Sequence, residues 1–227
     1  MKLSVIIPVY NEESTIRHVL ERVRAVDVGM PMELIVVDDG STDRTAETLR
    51  SEATNVSIVH FSRVNSGKGT AIRVGLTYAS GDVVIIQDAD LELDPQDFRQ
   101  VLKPIVDGKA EIVYGSRFLT PAPGISLKTR VANRLLTALT NLLYRSRLTD
   151  METAYKAFRR SVLDDIRLSC RRFDFEPEVT AKLLRRGHTI AEVPISYRPR
   201  SSAEGKKIRF SDGLVAIWTL LKYRIAG

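Results

Sequence analysis

The strongest constraint on this chain is a series of Val/Ile runs with almost no polar breaks, each followed by residues at helical spacing. LSVIIPV, ELIVVDD, VSIVHF, DVVIIQD and EIVYGS favour strands, because β-branched side chains pack well on a pleated surface. Between them, EESTIRHVLERVRAV puts Ile16, Val19, Leu20 and Val23 at helical intervals, and STDRTAETLRSEA opens on a Ser/Thr/Asp cap cluster. GTAIRVGLTYA and PQDFRQVLKPIVD continue the alternation. Strands that lack polar alternation are buried on both faces. The expected fold is therefore α/β, a mostly parallel sheet flanked by helices with a Rossmann-like core.

After Gly115 the pattern changes. RFLTPAPGIS reads as a loop, and LKTRVANRLLTALTNLLYRSR as a basic amphipathic helix or helix pair. METAYKAFRR and TIAEVPISYRPR read as strands, and FEPEVTAKLLRRG as a helix stopped by Gly187. No repeat or linker divides the chain, so residues 1–227 are expected to form one domain with halves 1–116 and 117–227.

The net charge of +6 conceals a division. Residues 1–113 carry 12 Lys and Arg against 18 Asp and Glu, whereas residues 114–227 carry 22 against 10. An acidic half can hold a cation, and a basic half can attract phosphates, nucleic acid or anionic lipid. A nucleic-acid-binding module is the reading of a different class. Against it, no aromatic RNA-binding signature or helix-turn-helix accompanies the arginines. The single cysteine, Cys170, rules out an internal disulfide and fits a cytoplasmic setting. The run in MKLSVIIPVYNEE is too short for a signal peptide and reads as the first strand. No apolar stretch approaches the roughly 18 residues that span a bilayer. Any membrane contact is expected to be peripheral or through a membrane-anchored partner.

In an open α/β sheet, ligands bind beyond the carboxyl ends of the strands. Three acid-bearing turns, PVYNEE, VVDDGSTD and QDADLE, lie at such ends. An Asp-x-Asp there offers hard oxygen ligands to Mg²⁺ or Mn²⁺, ions that take a few carboxylates together with phosphate oxygens. Asp43 and Asp94 read instead as helix caps. SGKG lacks the spacing of a Walker loop.

Taken in order, VIIPVYNEE, IVVDDGSTDRT, NSGKGTAIRVGL, IIQDADLELDP and YGSRF resemble the family 2 glycosyltransferases of the GT-A fold. Within that family the chain is most similar to the dolichyl- or polyprenyl-phosphate mannose synthase group. TDMETAYKAFRR, FDFEPEVTAKLLRRG and SYRPRSSAEGKKI resemble the C-terminal part of its bacterial and archaeal members. The resemblance covers residues 1–212 and implies a nucleotide-sugar-binding half followed by an acceptor half. By it, Pro8, Tyr10 and Glu12 line the base and ribose pocket, Asp39 grips base or ribose, and Lys68 lies near the nucleotide. Asp88 approaches ribose or metal, and Asp90 binds the divalent ion on the donor diphosphate. Glu92, where close relatives often carry Gln, is the third metal candidate. Arg117, Arg130, Lys206 and Lys207 are implied at the acceptor phosphate. Asp90, Arg117 and Arg200 are the catalytic candidates. From the residues alone, Pro8 and Tyr10 equally end a strand and pack a ring, and Asp39 equally caps the following helix.

The implied activity is inverting transfer of mannose or glucose from GDP-mannose or UDP-glucose to a polyprenyl or dolichyl phosphate. A phosphate monoester has a second pKa of about 6 and carries a nucleophilic oxygen at neutral pH. A hydroxyl on a soluble saccharide, the alternative acceptor, needs a general base, for which Asp150, Glu176 and Glu178 are candidates. Residues 126–147 and 210–225 are the candidate interface helices. Leu135, Leu136, Leu139, Leu142 and Leu143 share one arc of the first, flanked by arginines, and the second carries Trp218 and Tyr223. Both helices packing on the sheet is the competing expectation.

Overall fold

A computed structural model of the protein describes residues 1–120, 124–200 and 210–225. One sheet contains β1 (Leu3–Val9), β2 (Met32–Asp38), β3 (Ile58–Phe61), β4 (Val83–Ile86), β5 (Ile112–Ser116), β6 (Lys156–Arg159) and β7 (Ala191–Pro194). Their order is β3-β2-β1-β4-β6-β5-β7. β3, β2, β1 and β4 pair in parallel, as their unbroken Val/Ile runs require. β6 inserts between β4 and β5 and runs antiparallel to both, while β7 returns parallel to β5. The sheet is thus mixed and mostly parallel. The reversal matters for function. An antiparallel β6 begins where β4 and β5 end, so the segment leading into Lys156 is delivered to the carboxyl edge of the sheet.

Alternate residues of each central strand feed two cores. Val5, Ile7 and Val9 of β1 pack with α1 (Ile16–Arg24) and α4 (Phe98–Val106) on one face, near Leu49 of α2 (Thr45–Ser51). Ile6 and Ile35 pack with α3 (Lys68–Tyr78), α6 (Arg160–Asp164) and α7 (Phe175–Arg185) on the other. Each such Val, Ile or Leu contributes about 1.5–3 kcal/mol when fully buried. Gly75 lets α3 lie close to the sheet, since a Cβ there would come 2.5 Å from Ile6 Cγ2.

A third, smaller core joins α5 (Leu127–Tyr144), α7 and α8 (Phe210–Ile225) through Leu136, Tyr144, Ala181, Ala216 and Leu220. The Tyr144 hydroxyl donates to the Leu220 carbonyl at 2.6 Å. The helix expected over 126–147 stops three residues early. Arg145 turns left-handed with φ of 54°, and Asn141 then holds Ser146 and Leu148. The leucine arc expected on α5 is also split: Leu136 faces the core, while Leu135 and Leu142 face outward with Leu127 and Val131. On α8, Ala216, Thr219, Leu220 and Tyr223 are buried, and Leu214, Trp218, Leu221 and Ile225 are exposed on the opposite side.

The amino edge of the sheet is closed by a buried carboxylate. Glu33 accepts hydrogen bonds from Ser4 Oγ (2.5 Å) and the Ser80 amide (2.7 Å), and pairs with Lys2 Nζ at 2.5 Å. Burial pushes its carboxyl up, but the bonds from Lys2, Ser4 and Ser80 outweigh that and hold it down at about 2. A depressed carboxylate stabilises the fold above its unfolded pKa, and the gain disappears as pH falls through the folded value. Glu33→Gln is expected to lose about 2 kcal/mol at pH 7 in urea denaturation, after allowance for the half-exposed Lys2. The gap to wild type should close as pH falls from 4.5 towards about 2.

Candidate active site

β1 lies between β2 and β4 and pairs in parallel with both, so the carboxyl ends of the three strands meet at one edge of the sheet, where ligands of open α/β folds bind. Pro8 is buried within β1, opposite Val37, and Tyr10 stands part-exposed where the strand ends. Glu12 follows, and Asp88 to Asp90 leave β4 beside it. Thr15 fastens the two turns, its hydroxyl lying 2.8 Å from Glu12 Oε2 and 2.9 Å from the Ala89 carbonyl.

Asp39, expected at the nucleotide, is buried and accepts from the amides of Ser66 (2.9 Å) and Gly67 (2.6 Å). Burial raises its pKa, with those two amides opposing. It holds the turn that starts α3. Gly67 there has φ of 96°, and a Cβ would meet the Arg171 carbonyl at 2.5 Å, so only glycine fits. Lys68 follows, with Nζ 2.8 Å from Asp88 Oδ1 and 2.9 Å from Glu176 Oε1. Burial alone would lower its pKa. The two carboxylates win and keep it charged, with the pKa well above normal. Asp43 and Asp94 are caps, accepting from the amides of Thr45 and Gln96.

Arg200 closes the crevice from the other side. Its fork donates to Glu12 Oε1 and Oε2 at 3.0 and 2.7 Å, and its Nε lies 3.8 Å from Asp90 Oδ2. Glu92 anchors that segment, accepting from the Arg200 amide (2.7 Å) and the Tyr197 hydroxyl (3.1 Å). Both of its carboxylate oxygens are thereby engaged. Asp90 is pushed up to about 7, first by burial and then by Asp88 and Glu92, with Arg200 opposing. A cation between Asp88 and Asp90 would relieve that repulsion. Among the described residues no three acidic, His or Cys side chains form a complete ligand set. The donor set therefore fits an ion that keeps sites for phosphate oxygens.

Arg117 sits at the end of β5 on the same edge. It is 11% exposed and donates to the fully buried Asp150, Nε to Oδ2 at 2.7 Å and Nη2 to Oδ1 at 2.8 Å. Asp150 also accepts from the Arg117 amide at 3.0 Å. Tyr197 flanks the guanidinium, with 5.1 Å from Cζ to the ring centroid. Two of its five N–H donors serve Asp150 and the Tyr197 hydroxyl also engages the guanidinium, so only part of the fork is left for a ligand. Arg130 lies part-buried on the first turn of α5. Lys206 and Lys207 lie outside the described residues.

The three candidate bases are all engaged. Asp150 holds Arg117, and Glu176 holds Lys68. Glu178 faces away from the crevice, where Lys182, Ser169 and Tyr223 occupy it. Four side chains of the site escaped the sequence patterns: Glu152, Lys156, Glu192 and Tyr197. TDMETAYK carried the signal for two of them, as acids and a lysine next to an apolar strand.

The Glycosyl transferase family 2 model matches residues 4–167, and the chain belongs to that family. It is 32% identical over 210 residues to an undecaprenyl-phosphate 4-deoxy-4-formamido-L-arabinose transferase from Edwardsiella ictaluri, covering 90% of this chain and 62% of that one. To glycosyltransferase AglD of Haloferax volcanii it is 27% identical over 218 residues, covering 92% and 35%. It thus spans less than two-thirds of either relative. Among solved structures, glucosyl-3-phosphoglycerate synthase from Mycobacterium tuberculosis with Mg²⁺ and uridine diphosphate superposes with a TM-score of 0.74. The identity is 26%, over 98% of this chain and 79% of that one. The same enzyme with Mn²⁺, uridine diphosphate and glucosyl-3-phosphoglycerate gives 0.75 at 25% identity, with the same coverage. The expected GT-A architecture is the one found.

Removing Asp150 strands a buried guanidinium. Asp150→Ala is expected to cost about 3–5 kcal/mol in urea denaturation. Adding Arg117→Met should recover much of that loss, which a double-mutant cycle measures.

Proposed function

We propose that the protein transfers a hexose, mannose or glucose, from a nucleotide diphosphate-sugar to a polyprenyl or dolichyl phosphate, with inversion. The observation that carries this is the pairing, on one sheet edge, of the Asp88/Asp90 turn with an arginine fixed by Asp150. Membership of family 2 supports the reaction class. The Edwardsiella relative, an undecaprenyl-phosphate 4-deoxy-4-formamido-L-arabinose transferase, supports the acceptor. The Mg²⁺ and Mn²⁺ complexes of the mycobacterial enzyme support a divalent ion held by Asp88 and Asp90.

When bound, that ion supplies charge neutralisation for the donor diphosphate. Pro8, Tyr10 and Glu12 bound the nucleotide side of the crevice, and Lys68 keeps Asp88 in place. Arg117 offers its free N–H groups to the acceptor phosphate and orients an anion that would otherwise be repelled. Arg130, Lys206 and Lys207 add positive charge to the acceptor half, and Arg200 lies across the leaving diphosphate. One acceptor oxygen attacks the anomeric carbon. The new C–O bond forms as the C–O bond to the nucleoside diphosphate breaks. No general base is needed, which agrees with Asp150 and Glu176 being tied up in ion pairs.

The membrane contact follows from the helices. No helix among the described residues is long and apolar enough to cross a bilayer. Yet α5 turns Leu127, Val131, Leu135 and Leu142 outward, and α8 turns Leu214, Trp218, Leu221 and Ile225 outward. Exposed Lys128, Arg134, Lys222 and Arg224 flank these stripes. That pairing of apolar stripe and basic flank matches an anionic lipid surface, peripherally bound on the cytoplasmic face.

Purified protein with Mn²⁺, polyprenyl phosphate and labelled GDP-mannose or UDP-glucose should move label into the organic phase. Asp90→Asn and Arg117→Lys, which preserves a charge for Asp150, should each slow transfer at least about 100-fold. Label appearing only on a soluble saccharide would replace the lipid reading. Trp218, the sole tryptophan and 66% exposed, reports the surface directly. Its fluorescence should shift to the blue with anionic vesicles and remain unshifted with neutral ones. A shift that depends on protein concentration without vesicles would mean that a second copy covers the stripe.

A further inference from the structure

The segment Thr149–Tyr155, which enters β6 at the ligand edge, is held along nearly its whole length. Glu192 of β7 accepts from the amides of Thr149 and Asp150 at 2.8 and 3.0 Å, and Thr137 Oγ1 accepts from the Met151 amide at 3.1 Å. Lys156, fully buried, donates to the carbonyls of Met151 and Thr153 at 2.7 and 2.5 Å with its ammonium 4.0 Å from the Tyr114 ring centroid. The Tyr155 hydroxyl donates to Gln87 Oε1 at 2.6 Å. Such a loop has little freedom to rearrange.

Within it, one carboxylate oxygen is sealed from water and lacks any hydrogen-bond partner. Among the described residues only Glu152 Oε1 and its neighbour Thr153 Oγ1 are in that condition. A buried acceptor without a donor is costly, and native folds keep few of them. Where one persists in a rigid loop beside a site, a ligand donor is the natural complement.

The surroundings say which part of a ligand. Glu152 interacts electrostatically with Arg117 on the acceptor side, with Asp150 and Lys156 in its own loop, and with Glu176. Glu176 is joined through Lys68 to Asp88 on the donor side. Glu152 thus feels both sides of the gap that separates the arginine offered to the acceptor phosphate from the Glu176–Lys68–Asp88 chain that leads to the donor side. The transferred sugar must occupy that gap, because its anomeric carbon is reached from one side and released on the other. A carboxylate there repels either phosphate, whereas a neutral hydroxyl suits it. Burial first, and then the charge of Glu176, push its carboxyl above the usual range.

We propose that Glu152 recognises the donor sugar, its unpartnered carboxylate oxygen hydrogen-bonding a ring hydroxyl of the transferred hexose and fixing the sugar's orientation. This rests on the nucleotide-sugar reading above.

Calorimetric titration of UDP, GDP, UDP-glucose and GDP-mannose, each with Mn²⁺, into wild type, Glu152→Gln and Glu152→Ala separates the two. Glu152→Ala is expected to weaken the preferred nucleotide-sugar about 10- to 100-fold, the range of a lost charged hydrogen bond. The matching nucleoside diphosphate should stay within about twofold. Glu152→Ala should melt at or above the wild-type temperature, because an unsatisfied buried oxygen is removed; a structural role for Glu152 would lower it. Equal weakening of diphosphate and diphosphate-sugar, or unchanged affinity for both, overturns the role of Glu152 while the donor reading stands. Failure of wild type to bind any of the four overturns the donor reading and this inference with it.

Discussion

Lys68 is the interaction through which the two halves of the protein become one site. It projects from the first turn of α3 in the acidic half and is held between Asp88, at the end of β4, and Glu176, in the first turn of α7. With a buried ammonium and two carboxylates so close, losing any member strands a charge away from water. The position of α7 relative to the sheet is thereby tied to the carboxylate at the end of β4. α7 in turn carries the core that seats α5 and α8. Arg200 repeats the device across the crevice, reaching from the basic half to Glu12 and Asp90. The opposed charges of the two halves are therefore the means by which an acid-lined sheet edge is kept folded.

The parts of this arrangement set by local sequence could be read in advance. Unbroken Val/Ile runs gave β1, β2 and β4, and their buried parallel pairing follows from having no polar face to show. Asp43 and Asp94 acted as caps because capping depends on two or three neighbouring residues. Partnerships distant in sequence were hidden. The antiparallel entry of β6 between β4 and β5 rests on a four-residue strand whose place is decided by pairing, not by its own pattern. Without that reversal, nothing marks Glu152 or Lys156 as residues of the ligand edge. Asp39 adds a further case: its motif resembles a nucleotide contact but does not announce that its two oxygens also hold the turn at Gly67.

The α5 helix shows why simple amphipathicity misplaced its leucines. Its buried face mixes Leu136 with Thr137, Thr140 and Tyr144, and its outward face carries Leu127, Val131, Leu135 and Leu142. Apolar side chains therefore lie on both faces, unlike a helix on a water-facing surface. The inward polar face has tasks that apolar side chains cannot perform: Thr137 accepts from the Met151 amide and Tyr144 binds the α8 backbone. One helix thus steadies the loop that carries Asp150 and Glu152 while presenting leucine to whatever lies outside. A single rigid element joins an outward apolar face to the carboxyl edge of the sheet.

The two edges of the sheet follow opposite rules. At the amino edge, Glu33 is fully provided with donors, and the network around Ser4, Ser80 and Lys2 closes on itself. At the carboxyl edge, Asp90 is crowded by like charges and Glu152 keeps an oxygen with no donor. Both edges are formed by the same strands, so the difference lies in how the loops were filled. A fold selected for stability alone would have provided a donor for Glu152, as it did for Glu33. Unmet polar demand at one edge, offset by surplus satisfaction at the other, is the physical mark of a site that a ligand completes.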